Sequence, residues 1–201
     1  LASEGEWLEA MLSQARNADE QWQQLVRYRQ EQEFWVGIRV LRGDIAPLEA
    51  LPILSAVAER ILKELVQLVE AEFSRDYGRI EGGRFAVLAM GRLGACETCF
   101  GSDLDLVFVY DVADPETRSD GPRSFYARVY YNRLAQRMIG LLEAQGPFGK
   151  LYAIDTRLRP SGRDGHLAVQ REGFRQYFEQ SAWTFEYLAL CRARPVAGEP
   201  E

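Results

Sequence analysis

The sequence predicts an α+β fold, a small mixed sheet flanked by helices and preceded by a helical arm. Three observations predict it. Leu54, Ala58, Ile61, Leu65 and Leu68 recur at alternating spacings of four and three residues, which marks a helix with one buried face. Two short apolar runs, Phe85–Met90 and Leu104–Tyr110, each follow a glycine turn and read as strands buried in a core. A third run, Leu151–Arg159, alternates side chains as a strand does.

Taken in order, residues 4–42 are polar, rich in Gln, Glu and Arg and free of proline, as helix requires. Leu25 and Tyr28, then Phe34, Ile38 and Leu41, recur at helical spacing before Gly43-Asp44 ends the arm. So narrow a stripe on so charged a segment predicts packing against something else, such as a preceding domain. Pro47 suits a helix start, and Leu62, Val66, Val69 and Phe73 widen the stripe of the helix that follows. Gly91-Arg92-Leu93-Gly94 turns the chain after the first strand, and residues 95–100 read as a short helix before the second. A loop rich in Asp, Pro and Gly spans 111–122. Ala127, Tyr131, Leu134, Met138 and Leu141 then mark one helix face, which Gly146-Pro147 stops. Residues 172–177 and 182–194 read as helices around a seam of Phe174, Tyr177, Phe178, Trp183, Phe185 and Tyr187.

With 201 residues the chain holds one domain and an appendage. A hydrophobic content of 47% beside 27% charged residues is that of a soluble globular protein. The net charge of -6 argues against general nucleic-acid binding. No apolar run approaches the about 20 residues of a membrane span, and no signal-peptide pattern opens the chain. Three cysteines, an odd number, suit a reducing cytoplasm better than a disulfide framework. With no initiator Met and a turn-like last stretch, the chain reads as an excised piece of a longer protein.

The chemistry centres on Gly101-Ser102-Asp103-Leu104-Asp105. On a strand, Asp103 and Asp105 share one face while Leu104, Leu106 and Phe108 share the other. Two adjacent like charges on a buried face are costly unless a cation neutralises them, and hard oxygen donors suit Mg²⁺ with substrate phosphates. A lone D-x-D is otherwise a strand end that caps a turn or faces water. Alternation sends Asp155, Arg157 and Arg159 to one face of the third strand. If that strand pairs beside the second, three carboxylates converge with two arginines next to them. Such a set fits two-metal phosphoryl chemistry; either arginine alone also fits a surface ion pair. A glycine turn after a buried strand, paired aspartates, then a later single aspartate and arginines together resemble the general nucleotidyltransferase layout, in which a short helix lies over the nucleotide phosphates.

Three stretches make the resemblance specific: AMGRLGACETCFGSDLDLVFVYD (89–111), LYAIDTRLRPSGRDGHLA (151–168) and AWTFEYLALCRARPVAG (182–198). With RYRQEQEFWVGIRVLRGDI (27–45), they closely resemble the bifunctional glutamine synthetase adenylyltransferases of bacteria, and most of all the C-terminal, adenylylating half. The resemblance implies a DNA polymerase β-like nucleotidyltransferase fold over 46–201, without the family's C-terminal helices, and a helical arm or linker over 1–45. It implies AMP transfer from Mg·ATP, with two Mg²⁺ ions, to a tyrosine of glutamine synthetase in the cytoplasm, under a PII-type signal protein. Asp103, Asp105 and Asp155 would be the metal-binding, catalytic residues, with Asp155 assisting deprotonation of the tyrosine. Gly91, Arg92, Gly94 and Ser102 would lie on the nucleotide side, with Arg157 and Arg159 toward the phosphates. Arg92 stands where the family usually has lysine, Phe185 where it usually has tryptophan, and Cys96 and Cys99 replace the usual residues. The deadenylylating half of the same enzyme, or a regulatory module with a vestigial metal site, are the rival readings.

The remaining candidates have plainer roles. Cys96 and Cys99 form a C-x2-C with no second cysteine pair, and His166 is the one histidine, exposed in a Gly-flanked loop, so ordinary thiols fit better than a zinc site. Trp183, Tyr187 and Leu190 read as core. Arg192 and Arg194 read as satisfying last-turn helix carbonyls. Ser102 lacks a nearby histidine and suits a hydrogen-bonding role over a nucleophilic one.

Overall fold

The computed structural model describes residues 4–199. Helices α1 (Glu4–Gln14), α2 (Ala18–Leu41) and α3 (Pro47–Tyr77) lead into strand β1 (Arg84–Ala89), the short helix α4 (Gly91–Gly94) and strand β2 (Leu104–Asp111). Then follow α5 (Ala127–Glu143), β3 (Ile154–Asp155), β4 (Ala168–Gln170), α6 (Arg171–Gln180), α7 (Thr184–Leu190) and β5 (Arg194–Gly198). The five strands form one small mixed sheet in the order β3–β2–β1–β5, and β4 also pairs with β2. β1 runs antiparallel to β2 and β5, whereas β3 and β4 lie parallel to successive parts of β2. The architecture is α+β, as expected. Among the described residues, no helix is long and apolar enough to cross a membrane.

The α3 stripe is the spine of the core. Ala58, Ile61, Leu62, Leu65, Val66 and Val69 are all buried, and they pack with Leu104, Leu106 and Phe108 of β2 in one cluster. α5 adds Tyr131, whose ring stacks on Phe85 and on Tyr110, tying helix to sheet. Each such fully buried side chain contributes about 1.5–3 kcal/mol of transfer free energy.

The arm belongs to this body. Leu8, Trp22, Leu25, Val26 and Tyr28 lie in the same buried cluster, and the Trp22 indole donates to the Leu141 carbonyl at 2.7 Å. Its stripe is therefore covered in part by this chain's own helices, whereas Phe34, Trp35 and Leu41 stay exposed. Asn17 caps α2 by accepting the Glu20 amide.

Four local expectations are corrected. No helix forms over 95–100. α4 ends at Gly94, and Cys96, at φ 58°, takes the left-handed position that closes it. The Cys96 amide donates to Leu93 and the Glu97 amide to Arg92, the double closure of a Schellman end. The third strand is only Ile154–Asp155, because the Arg157 amide donates to the Asp155 carboxylate at 2.8 Å and the chain turns there. The helix read over 182–194 stops at Leu190, and Arg194–Gly198 pairs with β1 at the sheet edge, where Pro195 is tolerated. Trp183 and Tyr187, read as core, are exposed, as is Phe185 of the seam, and Leu190 is only half-buried, because the seven-residue α7 is only partly covered, by α6 through the Phe178–Tyr187 ring contact.

Candidate functional site

Parallel pairing sets Asp105 of β2 opposite Asp155 of β3. The Leu104 amide donates to Ala153 and the Met90 amide to the Asp105 carbonyl, both at 2.9 Å. This ladder brings the start of α4, the head of β2 and the end of β3 to one edge. Asp103, two residues before Asp105, is exposed there, and Asp105 is half-buried. Asp103, Asp155, Arg157 and Arg159 line an open cleft of about 430 Å³. Burial, then the neighbouring charges of Asp103 and Asp155, push the Asp105 carboxyl above the usual carboxylate range, and Arg157 and Arg92 partly offset this.

The close approach of α4 depends on glycine. Gly91 has φ +49°, and a Cβ there would sit 2.1 Å from Oδ2 of Asp105. Gly94 serves packing instead: its missing Cβ leaves room for the Arg192 carbonyl, 2.0 Å from where that carbon would be.

The arginines divide. Arg157 folds back on Asp155 as an ion pair, with Nε 2.7 Å from Oδ2. Arg159 lines the cleft beside Asp155 and Arg157, where strand alternation put it, but its donors turn into the loop. It is buried and staples the loop, donating to Thr156 O at 2.7 Å and to the Gly165 carbonyl at 3.3 Å. Burial lowers its pKa, against the pull of Asp155. Arg92 is exposed and donates to the Cys99 thiol at 3.2 Å and to the Ser102 hydroxyl at 3.3 Å. Ser102 also accepts the Cys99 amide, a hydrogen-bonding role within the loop.

The carboxylate set fits a hard divalent cation in its chemistry, since it is all oxygen and carries like charge at Asp105 that Arg157 and Arg92 only partly offset. It is not drawn into a closed chelate: among the described residues no group of three or more His, Cys, Asp or Glu is gathered to hold a metal. Asp155 faces Arg157 instead.

Residues far away in sequence hold the site, and sequence spacing gave no signal for them. The buried Ser55 of α3 donates to the Leu51 carbonyl and accepts the Thr98 amide at 3.1 Å, anchoring the loop between α4 and β2. Ser55→Ala leaves that buried amide without an acceptor and is expected to cost about 1–3 kcal/mol. Urea denaturation of the variant beside the parent checks this. Arg194 of β5 reaches the Cys96 thiol of the same loop at 3.2 Å and pairs with Glu59, also on α3.

Comparison with known proteins gives the lineage. The family profile described as glutamate-ammonia ligase adenylyltransferase matches residues 1–201. The bifunctional glutamine synthetase adenylyltransferase/adenylyl-removing enzyme of Bartonella quintana (strain Toulouse) is 44% identical over 86% of this chain and 18% of its own length. Those of Rhodopseudomonas palustris (strain TIE-1) and Xanthobacter autotrophicus are 41% and 42% identical over 96% of this chain and 20% of theirs. The chain thus spans about a fifth of the length of these relatives. The chain belongs to the glutamate-ammonia ligase adenylyltransferase family of enzymes.

Proposed function

We propose that this chain is an adenylylating nucleotidyltransferase domain, which moves AMP from ATP to a tyrosine hydroxyl of glutamine synthetase. The observation that carries the reading is the convergence of Asp103, Asp105 and Asp155 beside the Gly91 turn, in a chain of this family. A new bond forms between the tyrosine oxygen and the α-phosphorus, the bond to the β-phosphate oxygen breaks, and pyrophosphate leaves. Asp103 and Asp105 would hold Mg²⁺, with Asp155 joining them when Arg157 turns toward the phosphates. Bound there, the metal would polarise the α-phosphate and neutralise developing charge.

The chain's own groups do the rest. Asp155, at the end of β3, orients the tyrosine hydroxyl and accepts its proton. Arg157, mostly exposed, is free to swing and meets the phosphate charge with a planar pair of donors. Arg92 and Ser102 flank the nucleotide side, and Gly91 gives the backbone its close approach. Gly94 and Arg159 contribute through the loop they shape. A nucleotidyltransferase fold, a cytoplasmic setting and a PII-type regulator complete the reading.

The test compares full-length protein with its Asp105→Asn variant, using unmodified glutamine synthetase and ATP labelled at the α-phosphate. The parent is expected to label the synthetase with pyrophosphate released in equal amount, and the variant to lose that labelling while keeping phosphate-dependent release of ADP from adenylylated synthetase. A variant that keeps forward labelling but loses the release would assign the chain to the removing half. A variant that keeps both activities would leave a regulatory module.

A further inference from the structure

Arg194 opens β5, at the far end of the sheet order from β3, and yet it touches the site's support. Its Nη2 donates to the Leu93 carbonyl at 3.1 Å and its Nε to the Gly94 carbonyl at 3.2 Å. The same Nη2 lies 2.6 Å from Oε1 of Glu59 on α3. Both side chains are largely withdrawn from solvent, at 32% and 19% exposure. These carbonyls end a helix of four residues; the Leu93 carbonyl also accepts the Cys96 amide, and the last carbonyls of a helix otherwise have no partner within it. Arg194 supplies donors, and Glu59 fixes the direction of the guanidinium.

The other end of α4 rests on Asp105, since Gly91 stands where any side chain would strike Oδ2. The short helix is therefore clamped between the Arg194 guanidinium and the Asp105 carboxylate. We infer that Arg194 and Glu59 are positioning residues for Asp105: they hold α4 down, and α4 through Gly91 sets where the Asp105 carboxylate points. Neither touches substrate. The inference rests on the proposed role of Asp105 in AMP transfer.

Three variants of the full-length protein separate this from a plain structural ion pair. Arg194→Lys keeps the charge beside Glu59 but cannot span both carbonyls. Arg194→Met removes charge and donors together. The exchanged pair, Glu59→Arg with Arg194→Glu, keeps two opposite charges while putting no donor at position 194. AMP transfer and its Mg²⁺ dependence are measured for each, beside Asp105→Asn and a thermal melt. Arg194→Lys and the exchanged pair are expected to lose about ten- to a hundred-fold in kcat. The Mg²⁺ concentration at half-maximal rate should rise, and KM for glutamine synthetase should stay near that of the parent. Parent-like kcat and Mg²⁺ dependence in Arg194→Lys and Arg194→Met overturn the inference while Asp105→Asn remains inactive. An active Asp105→Asn instead overturns the reading of the site beneath it. Loss of rate in proportion to loss of folded protein across all three variants makes the pair structural and overturns positioning.

Discussion

Asp105→Asn in the full-length protein is expected to cut AMP transfer by on the order of 10³-fold while raising thermal stability at pH 7. The two effects have one cause. Asp105 is half-buried beside Asp103 and opposite Asp155, so burial and like charge hold its carboxyl above the ordinary range. A group whose folded-state pKa exceeds its unfolded value favours folding less as pH rises through that interval, because the folded state binds the proton more tightly. Its full cost is present above the folded value and fades as the pH falls toward the unfolded one. Asparagine removes the charge at nearly constant volume, so the gain in melting temperature should be largest at neutral pH and vanish near about pH 3. Melts of parent and variant in metal-free buffer at both pH values give that comparison, and labelled AMP gives the rate. Asp103→Asn and Asp155→Asn should also lose transfer. Asp155→Asn should gain no stability, because its carboxylate is paired with Arg157. Parent-like turnover in Asp105→Asn would remove the carboxylates from the mechanism.

What could be read from sequence followed the range of the interactions involved. The α3 stripe and the two buried strands carry their own periodicity, and all of them formed where expected. β3, β4 and β5 are two to five residues long. Such segments are strands only because β1 and β2 offer edges, so local pattern announced β3 within a longer run and β4 and β5 not at all. Arg159 shows the same limit at the site. Alternation placed it beside Asp155 and Arg157, and it does line their cleft, but the turn at Asp155 ends the strand and its donors go to the loop. The aspartates were legible because their chemistry is written in two-residue spacing. Their supports were not, since Ser55, Glu59 and Arg194 reach the site through contacts 43 to 135 residues apart in sequence.

Gly91→Ala is the sharpest test of the geometry between turn and carboxylate, and its effects on fold and rate should differ widely. At φ +49°, an alanine pays roughly 1–2 kcal/mol for the left-handed backbone. Its Cβ would stand 2.1 Å from Oδ2, 3.0 Å from Cγ and 3.4 Å from Cβ of Asp105. The nearest of these atoms is the end of a side chain that can rotate, so the protein should remain folded, with its carboxylate turned away. A displacement of that size in a reacting group costs about 100-fold in rate. Gly94→Ala provides the contrast. There the new Cβ would meet the Arg192 carbonyl at 2.0 Å and the Ala89 carbonyl at 2.8 Å, and backbone cannot rotate aside. Its stability should fall further than that of Gly91→Ala, and its rate should fall along with the folded fraction. Thermal melts and transfer of labelled AMP on both variants decide the matter. A Gly91→Ala protein that keeps parental turnover would show that Asp105 can work from another rotamer, and α4 would then have no hold on the chemistry.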